Sequence, residues 1–239
     1  MFNPQRLAKI LKFLVYAAAF MPLVIFSQFM SPFHFGKVVV FRLIVTAMVV
    51  FYAVLVLKDR SYWPRPTKLL WSVTIFTAAF GVSTLTSAIP YNSFWGTLER
   101  MGGWFSFLHF WAFFVISTAV LKEKEEWLTF IKLSLAASLL SAFYGFLQKT
   151  DLKWIIGSGG RQKIFGTIGN PALFAGYMIV NVFLALMLFF RKSTSAIWHR
   201  FSLLVFLVGA LAVFLTGVRG SALALITGVI LFGFMYAMT

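Results

Sequence analysis

The chain has 239 residues, of which 61% are hydrophobic and 11% charged, and it has no cysteine. That balance excludes a soluble globular domain, and the lack of cysteine excludes disulfides, thiolate metal sites and a cysteine nucleophile. The formal net charge of +15 lies in loops and at the ends of apolar runs, which is an orientation signal in a membrane protein rather than a nucleic-acid footprint.

Inside lipid only helices and closed barrels satisfy their own backbone, and long unalternating apolar runs select helices. The sequence therefore predicts an all-α fold, a polytopic membrane helical bundle of about eight transmembrane helices in a single domain over 1–239. The predicted spans are about 10–30, 38–57, 68–87, 102–121, 127–147, 171–190, 201–216 and 221–238. The first has a basic start like a signal peptide, but it is too long and lacks a small-x-small cleavage site, so it is read as an uncleaved span. The last two would reach about 57 Å as one helix, nearly twice the hydrocarbon core. Gly217 and Gly220 are read instead as a tight re-entrant turn.

Lysines and arginines are more numerous in the segments that would share a side with the N-terminus, which predicts a cytoplasmic N-terminus. The loops on that side, 58–67, 122–126 and 191–200, are short. Tyr62-Trp63-Pro64 resembles interfacial anchoring, and Lys122-Glu123-Lys124-Glu125-Glu126 is read as a solvated charged turn. On the outer side, loop 88–101 contains Asn92-Ser93-Phe94-Trp95-Gly96, and loop 148–170 is the longest in the chain. Loops of that length are usually functional or disordered.

Each span that starts on the outer side carries a base near its start: Lys37 and Arg42, Arg100, Arg161 and Lys163, and Arg219. A helix start presents unpaired N–H groups and the positive end of the dipole, and guanidinium pairs bidentately with phosphate. These starts are therefore candidate anion sites. Arg219 stands out because its turn is too short to clear the headgroups, and an arginine at membrane depth normally meets a partner. At the start of the sixth span, Asn170 is a candidate N-cap, Pro171 a first helical residue, and Gly166 and Gly169 allow close backbone approach. Arg42 reads equally as a snorkelling side chain. Lys37, Lys149 and Lys153 read as ordinary helix flanks, and Arg100 as a partner of Glu99. Glu99 and Asp151 are the outer acids, with no paired-carboxylate metal signature, so no metal or cofactor is expected. His34, His109 and His199 are read as packed or flanking polar residues, and no catalytic residue is assigned.

Three segments carry a family resemblance. Asn92-Ser93-Phe94-Trp95-Gly96-x-x-Glu99-Arg100-x-x-Gly103 resembles an outer-loop motif of the O-antigen ligase and O-antigen polymerase superfamily. Phe165-Gly166-Thr167-Ile168-Gly169-Asn170-Pro171 resembles that family's Gly-Asn-Pro-Asn segment before a membrane helix. Leu215-Thr216-Gly217-Val218-Arg219-Gly220 resembles its Thr-Gly-Ser-Arg-Gly signature. The resemblance implies a GT-C-like fold and metal-independent transfer of a glycan from an undecaprenyl-diphosphate carrier at the outer face of the bacterial inner membrane. It implies that Arg219, Arg161 and Arg100 hold the diphosphate, with Gly169, Asn170 and Gly220 as supporting backbone and cap. Val218 and Ala172 depart from the family pattern. The family normally continues into a large outer loop bearing a histidine base, so the chain is expected to be the N-terminal portion of a longer protein. Ligase, polymerase and protein O-glycosyltransferase remain open, and the acceptor is unknown. A carrier-lipid or glycan transporter needs a polar path through the bilayer, which few intramembrane charges support; a non-catalytic membrane scaffold is the third class.

Overall fold

A computed structural model describes residues 3–29, 31–97, 99–159 and 163–238. Its principal elements are α1 (Pro4–Ala18), α2 (Phe35–Lys58), α3 (Lys68–Leu85), α4 (Pro90–Trp95), α5 (Trp104–Val120), α6 (Lys124–Leu147), α7 (Pro171–Phe190), α8 (Ala196–Leu215) and α9 (Arg219–Ala237). Six of them, α2, α3, α6, α7, α8 and α9, are long and apolar enough to cross a membrane, and α5 is a shorter apolar helix. The protein is a multi-pass helical membrane protein.

The run predicted as the first span behaves differently. Asn3 caps α1 by accepting from the Gln5 N–H at 3.0 Å, with Pro4 in the first turn. The helix then stops at Ala18, and a 3-10 turn follows at Met21–Leu23. Pro22 lies four residues beyond Ala18; its ring clashes with that carbonyl and it offers no N–H, so the helix cannot continue. The predicted break near Gly217 is present: α8 ends at Leu215 and α9 begins at Arg219.

The chain divides within α6 into two compact units, the first comprising residues up to Met21 with Gln28–Phe130, the second Pro22–Ser27 with residues from Ile131 onward. In the first unit, Leu7, Leu11, Met48, Leu55, Ile116 and Val120 join α1, α2 and α5. The α3–α5 contact uses small residues and polar bonds, as expected where lipid removes the hydrophobic drive for association. The Trp104 indole donates to the Thr77 carbonyl at 2.9 Å, and the Trp111 indole to Thr74 Oγ1 at 3.0 Å. Gly81 admits the Trp104 ring so closely that a Cβ there would lie 2.6 Å from it. The charged turn before α6 is more than a solvated loop. Glu126 accepts from the backbone N–H of Lys122 (2.9 Å) and Glu123 (3.1 Å) and forms an ion pair with Lys12 of α1.

In the second unit, Phe174, Met178 and Val182 of α7 pack against Ala212 and Val213 of α8. Gly209 lets α8 approach Val182, and Gly228 lets α9 approach Phe183. Ser134 of α6 donates to Asn181 of α7 at 2.9 Å, a part-buried interhelical bond of the kind that fixes membrane helices in register.

Candidate functional site

The second unit brings two of the three sequence motifs together. The segment Phe165–Pro171 is held by residues four and three apart, Ser141 and Gly145 of α6 and Gln148 just past its end. Gln148 is fully buried. Its Oε1 accepts from the N–H of Phe165 and of Gly166, each at 3.0 Å, and its Nε2 donates to the carbonyls of Ile156 (3.2 Å) and Gly166 (3.1 Å). One side chain thus satisfies four backbone groups that would otherwise be orphaned. Ser141 Oγ lies 2.6 Å from Thr167 Oγ1, and the Tyr144 hydroxyl accepts from the Ile156 N–H at 3.1 Å. Gly166 has φ +53°, and a Cβ there would meet the Phe174 ring at 2.4 Å, so no other residue fits this bend.

Just before this motif the chain docks on the end of α8. The Ile164 N–H donates to the Leu215 carbonyl at 3.2 Å, satisfying an acceptor that the helix end leaves open. This lays the Lys163 stem along Gly217, where an added Cβ would lie 3.2 Å from Lys163 Cε and φ is +66°. Thr216 is buried and closes the turn, donating to the Val213 carbonyl (2.6 Å) and accepting from the Val218 N–H (3.3 Å). Arg219 is the first residue of α9, exposed, and its side chain makes no hydrogen bond or ion pair with a described residue. A Cβ at Gly220 would meet nothing within 4 Å. Lys163 and Arg219 therefore belong to one turn that is open beside Gly220.

The two helix starts of this unit differ. Asn170 caps α7 as expected, accepting from the N–H of Ala172 (2.9 Å) and Leu173 (3.2 Å), with Gly169 before it at φ +85°. The cap occupies donors that an anion would need. The start of α9 has Val218 at its cap position and no side-chain cap. Of the two, α9 is the one whose first-turn donors carry no side-chain cap, with a guanidinium on its first residue.

The third motif lies in the first unit and forms a closed loop. A Cβ at Gly96 (φ +80°) would sit 2.4 Å from the Gly102 nitrogen, and one at Gly103 would sit 2.3 Å from the Phe94 carbonyl oxygen. The spacing of these glycines is thus dictated by backbone packed on backbone. Arg42 organises the loop rather than snorkelling freely. It donates to the Met101 carbonyl (3.0 Å) and Ser106 Oγ (2.9 Å) and lies over the Phe105 ring. Met101 is held at φ +48°. Arg100 is exposed at the loop surface and forms no ion pair with Glu99. His34, Lys37, Glu99 and Arg100 interact electrostatically here. Burial, with the charges of Lys37 and Arg100 adding to it, holds the His34 imidazole below its ordinary pKa, against the opposing pull of Glu99. His109 is a packed polar residue, with Nδ1 2.7 Å from the Phe105 carbonyl oxygen. His199 lies against Ser195 and Phe189. Arg161 falls outside the described residues.

Gln148 is the organising residue that pattern reading passes over; Arg42, read from the sequence as a candidate anion base or a snorkelling side chain, is engaged by Met101 and Ser106 instead. The signal for Gln148 was available: an uncharged polar residue of high hydrogen-bonding capacity closing an apolar run, next to a long glycine-bearing loop. Compared with protein-family models, curated proteins and solved structures, the chain has no match.

Proposed function

We propose that the chain binds an undecaprenyl-diphosphate-linked glycan at the outer face of the bacterial inner membrane and serves lipid-linked glycan transfer of the O-antigen ligase type. The reading includes an N-terminus in the cytoplasm and crossings by α1 and α5 in addition to the six longer helices. Its main support is the second unit's basic turn, where Lys163 lies along Gly217 and Arg219 opens an uncapped helix start two residues on. An exposed dianionic diphosphate is met there by two side-chain cations, backbone donors and a helix dipole. The exposed apolar flank of α9, including Leu223, Ile230 and Phe234, offers the polyprenyl chain a surface at the same helix. In transfer the departing group is the carrier diphosphate, and fixed cations stabilise its growing charge. Arg100 is a weaker diphosphate candidate, and ligase, polymerase and protein O-glycosyltransferase share this donor chemistry.

The test is Arg219→Ala in the full-length gene, read by complementation of glycan transfer and by binding of undecaprenyl diphosphate to the purified protein. A hydrogen bond to a charged group contributes about 1.5–3 kcal/mol, so binding should weaken roughly 10- to 150-fold. Wild-type transfer and binding in the variant would remove Arg219 from the mechanism.

A further inference from the structure

The connection between α2 and α3 carries a feature that glycan transfer does not use. It joins two candidate membrane spans, so both its ends lie at one edge of the bilayer. Prolines at 64 and 66 hold it extended. Asp59 caps its 3-10 turn by accepting from the Ser61 N–H at 2.9 Å. The result is a bracket on which the Trp63 ring stands out, 66% exposed.

Apolar cavities flank Trp63 on both sides. Towards α2, one of about 540 Å³ is lined by Val56, Leu57, Arg60 and Trp63, and one of about 340 Å³ adds Tyr52 and Pro64. Towards α3 and α5, one of about 450 Å³ runs past Pro66, Trp71, Trp111 and Val115. Clefts of this kind at a bilayer edge accept acyl chains, and the interfacial ring of tryptophan favours the carbonyl level of the lipid.

The charge around the clefts is one-sided. Lys58, Arg60, Arg65 and Lys68 are exposed, and their side chains make no hydrogen bond or ion pair with a described residue. The acid among them, Asp59, is engaged by its turn. Lys122 is also committed, lying over the Tyr62 ring and donating to Ser61 Oγ at 3.2 Å. Arg60 lines the larger cleft itself, so a cation stands at the mouth of an acyl-sized groove.

We propose that this bracket is a binding site for an anionic diacyl phospholipid, with acyl chains in the clefts on either side of Trp63 and the phosphate on Arg60, supported by the neighbouring cations. Apolar clefts supply affinity for lipid in general, and the cations supply preference for a negative headgroup.

The experiment is native mass spectrometry of the full chain released from nanodiscs of equal phosphatidylglycerol and phosphatidylcholine. Wild-type protein should retain phosphatidylglycerol preferentially. Each interfacial cation contributes roughly a fivefold preference, so Arg60→Gln should reduce the ratio by about that factor. Trp63→Ala should lower the number of lipids retained. Lys192→Gln removes an exposed cation from a different connection and should change neither. Equal retention of the two lipids, an equal effect of Lys192→Gln, unaltered retention in Trp63→Ala, or a dimer that carries no lipid would each overturn the proposal.

Discussion

Gln148→Leu is the sharpest test of how the second unit is built. The substitution removes four hydrogen bonds of 3.0–3.2 Å from a fully buried side chain. Phe165 and Gly166, whose N–H groups lose their acceptor, are themselves buried. At about 1 kcal/mol for each bond, the loss is roughly 4 kcal/mol, and the larger cost of stranding buried donors offsets the relaxation available to the half-buried Ile156. The cost falls on the segment that leads from Lys163 to Asn170 and not on the α7–α8 contact. Hydrogen–deuterium exchange of a peptide covering residues 163–168 should therefore accelerate roughly 10²- to 10³-fold, while peptides from α8 keep their protection. Binding of undecaprenyl diphosphate should weaken in the same variant, because the docking of Ile164 on Leu215 holds Lys163 against Gly217, in the turn that leads into Arg219. Gln148→Glu keeps the acceptor for Phe165 and Gly166 but turns an oxygen towards two carbonyls. It should regain protection only where the new carboxyl is protonated. Unchanged exchange at Phe165 and Gly166 in Gln148→Leu would refute the reasoning.

Gly220→Ala separates packing from ligand approach. An added Cβ meets nothing within 4 Å, and alanine favours a helix over glycine by about 1 kcal/mol, so thermal stability should hold or rise. Donor binding should fall if the open side of the turn is where the diphosphate sits, and unchanged affinity would move the site elsewhere. Gly96→Ala should be poorly tolerated, since φ is +80° and the new Cβ would lie 2.4 Å from the Gly102 nitrogen; loss of folded yield on size-exclusion chromatography checks it. The first unit should also lose stability on mild acidification. His34 has a lowered pKa when folded, so the unfolded chain takes up the proton first and stability rises with pH across the window just below the ordinary value of about 6.5. Thermal unfolding in detergent between pH 5 and 7.5 should show this slope, and His34→Gln should flatten it.

The helices α2, α3, α6, α7 and α8 were legible because long apolar runs leave the backbone one way to satisfy itself in lipid. The break between α8 and α9 was legible for a length reason, and the cap of α7 from Asn170-Pro171 alone. The bounds of the first predicted span were misplaced for a local cause: hydropathy averages over Pro22, whereas the helix cannot pass it, so the helix runs from Pro4 to Ala18 rather than over 10–30. Only tertiary structure decided what the glycines and lone polar residues do. Gly96 and Gly103 close one loop, although seven positions separate them, because each removes a Cβ that the other segment's backbone would meet. Asn170 was identified as a cap, but its hydrogen bonds determine that α7 is the less available anion site. Gln148 and Lys163 have no periodicity to announce them. Their roles follow from which backbone groups a folded loop leaves unpaired and from which turn it lies against, and those are properties of chain segments brought together across long sequence separations.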